Sequence, residues 1–528
     1  MAVSLLALVV LIATAAQRSA EYDEQYTLFL TAGVARPAWP DTAFAAGEVR
    51  ALQAGHASLI GIARDLRATD VHPPLYFWAV AVWRRLTGGG LFAARLFSVL
   101  CGVAALAAVG WIAWRTGVPP ALAMLLTLGC YGFAYTGAIA RGFALAQALT
   151  LWGVAVLLSR RRRWPGGMLL GAATFANYLA VFVALAAPAA GGAAVPARGS
   201  EARDDRGNPR HAACRPDPPG MWRRCAAISC TQYGMGGIFF ALFLLADLWF
   251  FLAQRNSRPG QFPPFHLLAA VPRLARYAAA SLLGGLPLYL PAQAGTIAAI
   301  ALSLLALCAT ILAAACWRRI ADSAGARRLF LAAALAPPAG LLALGAVFHN
   351  TPIELRYLSF ADPFAALLLA GALASLPAIP RRTALALLLT VQAASLLGLM
   401  TRPETMQPAR ATVAAAARLA AGGIVLLPRG NDGVGIVGAF AIEAPPALRL
   451  LVVARGETRS QILARIGAER RVTLALLAQD DDSRATVATL RAAFAVPCWR
   501  RTGEGFNVLA FEQVCKGDVP WASSTVSR

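Results

Sequence analysis

One short apolar stretch, His72–Trp83 (HPPLYFWAVAVW), decides how often this chain crosses a membrane. Its eleven residues from Pro73 onward would form a helix of roughly 16 Å, about half the thickness of a hydrocarbon core. The paired prolines suit a helix start, where a missing N–H costs nothing, and Arg84 and Arg85 follow. We therefore predict an interfacial helix that lies along the membrane without crossing it.

The composition of the chain is typical of a membrane protein. Hydrophobic residues make up 58% of the 528 residues and charged residues 14%, against about 45–50% and 25% in soluble proteins. A soluble chain of this size could not bury so much apolar surface. The net charge of +22 comes almost wholly from arginine, and basic loops facing an anionic leaflet explain it better than nucleic-acid binding. The lipid bilayer is an expected partner, and nucleic acid is not.

The placement of arginine predicts the topology. If His72–Trp83 does not cross, eighteen arginines lie on inner loops, while six, Arg273 and Arg276 among them, lie on outer loops beyond the first. This agrees with the positive-inside rule, and a crossing at 73–83 would invert the ratio. About eleven transmembrane helices result. They are predicted at 1–17, 92–114, 119–137, 142–158, 165–178, 179–193, 236–253, 293–316, 329–348, 359–377 and 383–400.

The remaining segments divide the chain into a membrane module and a soluble one. Residues 18–91 are interpreted as a first periplasmic loop with interfacial helices, and 194–235 as a cytoplasmic loop without periodicity. After residue 402 the composition becomes that of a soluble protein in which helices and strands alternate. We therefore expect a transmembrane module over 1–402 and a small α/β domain over 403–528. Eleven spans from an inside start place that domain in the periplasm.

Three features of these soluble segments bear on function. Cys498 and Cys515 flank the last predicted strand, 506–511, and an oxidising compartment would allow them to pair. Gly430–Gly435 (GNDGVG) is interpreted as a plain turn, because it lacks both the full glycine fingerprint and the lysine of a P-loop. No metal site is predicted in 194–235, because its histidine and cysteines lack a paired Cys-x-x-Cys spacing. Those residues are His211, Cys214, Cys225 and Cys230.

Two neighbouring acids, Asp23 and Glu24, come just after the first span, on the outer face in this topology. They either mark the point where the helix leaves the lipid or lie on an amphipathic interfacial helix over 22–34. Carboxylates held near hydrocarbon have raised pKa values and can serve as general bases. The pair is therefore a candidate site for proton abstraction.

A second group of candidates carries donors that suit a lipid phosphate. In the stretch Asp70–Tyr76 (DVHPPLY), Asp70 or His72 would cap the following helix, and His72 could also donate to a phosphate. Arg141 lies between two spans and Arg356 follows another. Either could extend to the headgroups, but arginine near lipid is costly and suits two-point capture of phosphate. His72, Arg141 and Arg356 all fall on the outer side.

Taken together, these residues resemble the GT-C glycosyltransferases, and most nearly the branch of protein O-mannosyltransferases and aminoarabinose lipid A transferases. The resemblance covers roughly residues 1–400. It lies in the uncleaved first span, Asp23-Glu24, Asp70-x-His-Pro-Pro-Leu-Tyr76 and Arg356-Tyr-Leu before a span. It implies inverting transfer of a sugar from a polyprenyl-phosphate donor to an envelope lipid, glycan or protein in the bacterial inner membrane.

The resemblance also implies roles for individual residues. Asp23 would be the catalytic base. The donor phosphate would be bound by His72, Arg141 and Arg356. No cofactor is expected, and nothing in the sequence indicates a divalent cation, although one would be compatible. Supporting positions are Glu24, Asp70, Tyr76 and Tyr357.

Two other classes of function compete with this one. A transporter or lipid flippase would place the same residues along a substrate path, but transporters tend to show internal repeats and mid-membrane charges. Here the candidates cluster at one face, and a long loop follows the first span. In a sensor or assembly protein the outer domain would be the working part, yet 403–528 contains no catalytic pattern. We therefore predict a glycosyltransferase whose C-terminal domain supports the enzyme or docks the acceptor.

Overall fold

The computed structural model describes residues 2–159, 164–191, 221–254, 263–402, 409–420 and 422–515, with backbone alone at 189–191 and 221–234. Within these residues, five helices are long and apolar enough to cross a membrane, or up to seven if each of two bent pairs is one span. Three shorter helices are also apolar, at 143–158, 178–188 and 362–374. The chain is thus a mainly helical, multi-pass membrane protein. The predicted eleven spans would include such short helices.

The chain forms the following elements. The helices are α1 (Ala2–Gln17), α2 (Tyr22–Ala32), α3 (Ala46–Gln53), α4 (Leu59–Thr69), α5 (Leu75–Thr87), α6 (Leu91–Thr116), α7 (Pro120–Gly129), α8 (Tyr131–Ala138), α9 (Phe143–Leu158), α10 (Trp164–Ala176), α11 (Val181–Gly191), α12 (Met221–Gln254), α13 (Leu267–Leu283), α14 (Ala292–Ala315), α15 (Ala324–Phe348), α16 (Asp362–Ala374), α17 (Ala378–Thr401), α18 (Arg410–Ala420), α19 (Gly435–Glu443), α20 (Arg459–Ile466) and α21 (Asp481–Phe494). The strands are β1 (Phe44–Ala45), β2 (Ile424–Pro428), β3 (Arg449–Val453), β4 (Arg471–Ala475), β5 (Trp499–Gly505) and β6 (Val508–Gln513). Short 3-10 helices lie at Tyr178–Ala180, Leu286–Leu288, Trp317–Arg319 and Leu355–Phe360.

Contacts within the chain divide it into two compact units. The first comprises Met1–Ala16, Val71–Tyr76 and Leu96–Thr401. The second comprises Gln17–Asp70, Phe77–Arg95 and Arg402–Arg528. Most of the first loop, predicted at 18–91, therefore belongs to the same unit as the C-terminal segment, whereas the sequence suggests a boundary near residue 402.

The first unit contains the apolar helices, and two of its elements differ from expectation. The predicted span 119–137 is two helices, α7 and α8, which meet at Cys130 with a bend of 72°. Helix α13 occupies a segment that the sequence analysis placed in an outer loop, because Pro272, Arg273 and Arg276 interrupt its apolar pattern. Helix α12 begins at Met221, so part of the predicted loop 194–235 is helical. Residues 194–220 of that loop, with His211 and Cys214, lie outside the described residues.

The second unit contains an α/β sheet whose strands run in the order β1-β3-β2-β4-β6-β5. Strand β2 is parallel to β3 and β4, and β6 is antiparallel to β4. The strands form because short apolar runs become buried on the sheet, as in β2, where all five residues are buried. The edge strand β1 comes from the first loop and pairs antiparallel with β3. The alternating pattern predicted for 403–528 is therefore present, with β5 and α19 as additional elements.

Cys498 and Cys515 are joined by a disulfide, with their Cα atoms 5.0 Å apart. The bond connects the residue before β5 to the second residue after β6, so it closes the hairpin of these two strands. The pairing that the sequence allowed is confirmed.

Candidate active site

Arg141 and His72 meet in the first unit. Nη2 of Arg141 lies 3.0 Å from Nε2 of His72, and the Arg141 side chain is buried. A guanidinium can only donate hydrogen bonds, so the imidazole nitrogen accepts. Only glycine fits at position 142, just before α9, because a Cβ there would lie 2.6 Å from the carbonyl oxygen of Ala176. Two of the three predicted phosphate-binding residues are thus brought together.

Polar contacts with another helix hold the backbone of His72. The Gln254 amide at the end of α12 donates to the His72 carbonyl oxygen at 3.0 Å. The Tyr178 hydroxyl donates in turn to Gln254 Oε1 at 2.8 Å. Tyr76, which was predicted to support the site, is fully buried, with its ring 6.1 Å from that of Phe97. It contributes packing beside the turn that carries His72.

Arg356 lies on the 3-10 helix Leu355–Phe360, beside Glu354, an acid that was not among the predicted site residues. Nη2 of Arg356 is 2.5 Å from Oε2 of Glu354. The guanidinium also lies 5.5 Å from the ring centroid of Tyr357, a cation–π distance. The Tyr357 ring stacks on Phe143 of α9 at 6.2 Å. The predicted supporting residue Tyr357 thus lies beside Arg356 and packs on α9.

The 3-10 helix is also tied to α9 by hydrogen bonds. Ser359 donates to the carbonyl oxygen of Arg356 at 2.7 Å, and Gln147 of α9 donates to Ser359 Oγ at 2.8 Å. Helix α9 begins at Phe143, two residues after Arg141. One helix thus anchors the segments that carry Arg141 and Arg356.

The electrostatics around Glu354 show how these charges interact. Partial burial raises the pKa of Glu354 to about 7, and the positive charges of Arg273 and Arg141 oppose that rise. Burial also raises the pKa of Tyr357, and the nearby Glu354 charge adds to this effect. Arg273 lies on α13, a helix that the sequence pattern does not predict. Arginines from three segments therefore act on a single carboxylate, an arrangement suited to binding an anion.

In the second unit, Glu24 is a structural residue. Its two carboxylate oxygens accept from Arg95 at 2.8 and 2.6 Å, and both side chains are buried. Oε2 also accepts from the backbone N–H of Glu21, which closes a capping box at the start of α2. Glu24, which was predicted to support the site, thus holds the first turn of α2 through the capping box and Arg95. Arg95 lies inside the predicted span 92–114, and a charged residue within a span usually has a partner, so the sequence did contain a signal for this pair.

A buried ionic network surrounds the link before α2. Arg95 donates to the carbonyl oxygens of Arg18 and Ser19 at 2.9 and 2.8 Å. Arg18 forms an ion pair with Glu21 at 2.5 Å, and Arg410 of the C-terminal segment donates to the Arg18 carbonyl oxygen at 3.3 Å. This network fixes the first turn of α2, where Asp23 lies.

Asp23 is buried, with 8% of its surface exposed. It lies in the first turn of α2, where the helix dipole favours a negative charge. One turn further along the helix, the Tyr26 hydroxyl donates to Asp432. All residues from Asp23 to Ala32 are buried, so the amphipathic helix expected over 22–34 is wrong.

The segment Gly430–Gly435 packs against α2 within the second unit. The Tyr22 hydroxyl donates to Asn431 at 2.9 Å, and Asp432 also pairs with Arg36 at 3.3 Å. Positive φ angles at Gly430 and Gly433 make the turn that was predicted there. The turn thus helps to hold the helix that carries Asp23.

Asp70 does not cap the helix that follows it. It ends α4 as the C-cap, its N–H donating to Leu66 O at 3.1 Å. The expectation of an N-cap role is wrong, because α4 was not recognised. Asp70 belongs to the second unit, whereas His72 belongs to the first.

Metal ligands are not grouped in the part of the chain that the structure describes. No cluster of three or more His, Cys, Asp or Glu side chains there is placed to hold a metal ion. At Cys225 and Cys230 only the backbone is described.

Comparisons with solved structures identify the fold. ArnT from Cupriavidus metallidurans bound to undecaprenyl phosphate matches with a TM-score of 0.51 and 11% identity, over 97% of both chains. Its apo state gives a TM-score of 0.50, with the same identity and coverage. The arabinofuranosyltransferase AftD from Mycobacteria gives 0.45 at 15% identity, over 98% of this chain and 40% of AftD. No family model and no curated protein matches the chain. The ArnT likeness shows the fold, and it confirms at that level the resemblance to the GT-C glycosyltransferases.

Proposed function

We propose that this protein is an inverting glycosyltransferase that moves a sugar from a polyprenyl-phosphate donor to an acceptor in the bacterial cell envelope. The acceptor would be a lipid, glycan or protein, and the reaction would occur at the periplasmic face of the inner membrane. The observation that carries this proposal is the cationic cluster of the first unit, where His72 contacts Arg141 and where Arg141 and Arg356 both interact with Glu354. The ArnT fold supports it, since ArnT binds undecaprenyl phosphate.

The chemistry assigns a role to each predicted residue. The acceptor hydroxyl attacks the anomeric carbon while the bond from that carbon to the phosphate oxygen breaks on the opposite face. Asp23 takes the hydroxyl proton, a role that typically contributes about 10²–10⁴-fold. The departing polyprenyl phosphate gains negative charge. Donors held in fixed positions stabilise this charge, and they come from Arg356, Arg141 and His72. This reaction needs no cofactor.

The second unit would act as the support of the base. Its ionic network and the Gly430–Gly435 turn hold α2, which carries Asp23. The disulfide between Cys498 and Cys515 supports a periplasmic location, because such bonds persist in oxidising compartments. We propose that the C-terminal segment positions the base helix.

Replacing Asp23 tests the function. Asp23→Asn keeps the size of the side chain but cannot accept the proton, so sugar transfer should fall at least about 10²-fold. Binding of undecaprenyl phosphate should survive, because the proposed phosphate ligands are unchanged. The assay uses purified full-length protein, a polyprenyl-phosphate sugar and an envelope acceptor extract. Transfer at the wild-type rate by Asp23→Asn would show that Asp23 is not the base.

A further inference from the structure

We infer that Glu354 is the resident anion of the donor-phosphate site, and that the phosphate of a polyprenyl phosphate displaces its carboxylate from Arg356. This inference rests on the proposed function. It assigns Glu354 a positioning and release role.

The carboxylate occupies the place that an anionic ligand would take. Glu354 Oε2 lies 2.5 Å from Nη2 of Arg356, and Arg141 and Arg273 act electrostatically on the same carboxylate. Carboxylate and phosphate oxygens accept from the guanidinium fork in the same geometry. Glu354 therefore balances part of the positive charge of the cluster until a phosphate arrives.

Exchange of the Glu354 carboxylate for a phosphate is favoured because Arg356 is held more firmly than Glu354. The Arg356 side chain is 11% exposed and that of Glu354 is 27% exposed. The Tyr357 ring lies beside the guanidinium, and Ser359 holds the Arg356 backbone. Glu354 precedes the first turn of the 3-10 helix, and its side chain makes no capping hydrogen bond. The carboxylate can turn toward water while the arginine stays in place.

The charge difference between donor and product explains how this exchange would help the reaction. The donor is a phosphodiester with one negative charge, whereas the product polyprenyl phosphate carries more negative charge near neutral pH. An arginine cluster without its own anion would hold the product too tightly. Glu354 competes with the product for Arg356 and so favours its release.

The test measures binding of undecaprenyl phosphate to full-length protein in detergent at pH 8. At this pH most of Glu354, with a pKa of about 7, carries its charge. Glu354→Gln removes the competing charge, and we expect at least about fivefold tighter binding. Multiple-turnover transfer should then slow relative to a single turnover, because product release becomes limiting.

Two control variants separate the effect of this charge from other causes. Glu354→Asp keeps the charge and should bind within about twofold of wild type. Asp322→Asn removes a carboxylate at the opposite end of α15, roughly 37 Å along that helix, and should leave binding unchanged. Comparable thermal unfolding of all variants would confirm that they are folded.

The outcomes distinguish this inference from the proposed function. If Glu354→Gln binds no tighter than wild type while Arg356→Ala binds more weakly, the resident-anion role is overturned and the donor site stands. Equal tightening by Asp322→Asn would also overturn it, because the effect would be one of net charge. If wild-type protein does not bind undecaprenyl phosphate at all, the proposed donor fails and the inference fails with it.

Discussion

The acidic pair of the second unit and the cationic cluster of the first unit use charge in opposite ways. Glu24 is matched by Arg95 through two hydrogen bonds, and both side chains are buried. In the described part of the first unit, by contrast, Arg141, Arg273 and Arg356 act on one carboxylate. A balanced buried pair contributes to structure, whereas an excess of one sign is suited to a ligand of the other sign.

The largest effect should come from breaking the balanced pair. Glu24→Ala leaves Arg95 buried without its carboxylate, and loss of one partner of a buried pair costs about 3–5 kcal/mol. Thermal unfolding of the full chain in detergent should show the loss, and Asp23→Asn is the neighbouring control that should unfold like wild type. Wild-type stability of Glu24→Ala would mean that the pair is not structural.

The second-largest effect should come from removing the disulfide, which should lower stability and leave binding unchanged. Cys498 and Cys515 are 17 residues apart, and closing a loop of that size stabilises by about 3 kcal/mol. Cys498→Ser should lower the unfolding temperature while donor binding stays unchanged. Cys308→Ser, at an exposed free cysteine of the first unit, is the matched control. Equal loss in both variants would contradict the assignment.

Removing Arg356 from the cationic cluster of the first unit should weaken ligand binding rather than lower stability. A charge-assisted hydrogen bond contributes about 1.5–3 kcal/mol, so Arg356→Ala should weaken undecaprenyl phosphate binding roughly 10- to 100-fold. Arg276→Ala is the control, because Arg276 also lies 5.5 Å from a tyrosine ring, that of Tyr277. If the Arg276 variant loses as much affinity, the binding is a general effect of positive charge.

The smallest effect should come from the residue that holds His72. Gln254→Glu keeps an acceptor for Tyr178 but removes the donor to the His72 carbonyl oxygen. Loss of one such bond costs about 1 kcal/mol, or roughly a fivefold drop in the transfer rate. Single-turnover transfer measures this. No change in rate would show that the position of His72 does not depend on Gln254.

The predictable part of the molecule was the part encoded in local patterns. Apolar runs predicted the long helices, and alternation after residue 402 predicted the sheet. The pairing of Arg141 with His72 was suggested by a shared side of the membrane. Helix α13 was not predictable, because Pro272 and its two arginines interrupt the apolar period.

The roles of Glu24 and Glu354 depend on partners distant in sequence. Arg95 lies 71 residues beyond Glu24, and no local pattern indicates which arginine an acid will meet. Glu354 stands two residues before Arg356 and was visible in the sequence. Its interaction with Arg141 and Arg273 follows from tertiary packing.

Strand β1 has a consequence for how the protein is made. Phe44 pairs with Leu450 at the edge of the sheet, so a segment synthesised early must wait for about 400 more residues before its partner exists. At about 5–20 residues per second, that delay is roughly 20–80 seconds. During this interval the unpaired strand and the acids of α2 lack the C-terminal segment that completes their unit. Helix α2 therefore completes its packing only late in biosynthesis, and a chain truncated after α17 would lack the segment that completes it.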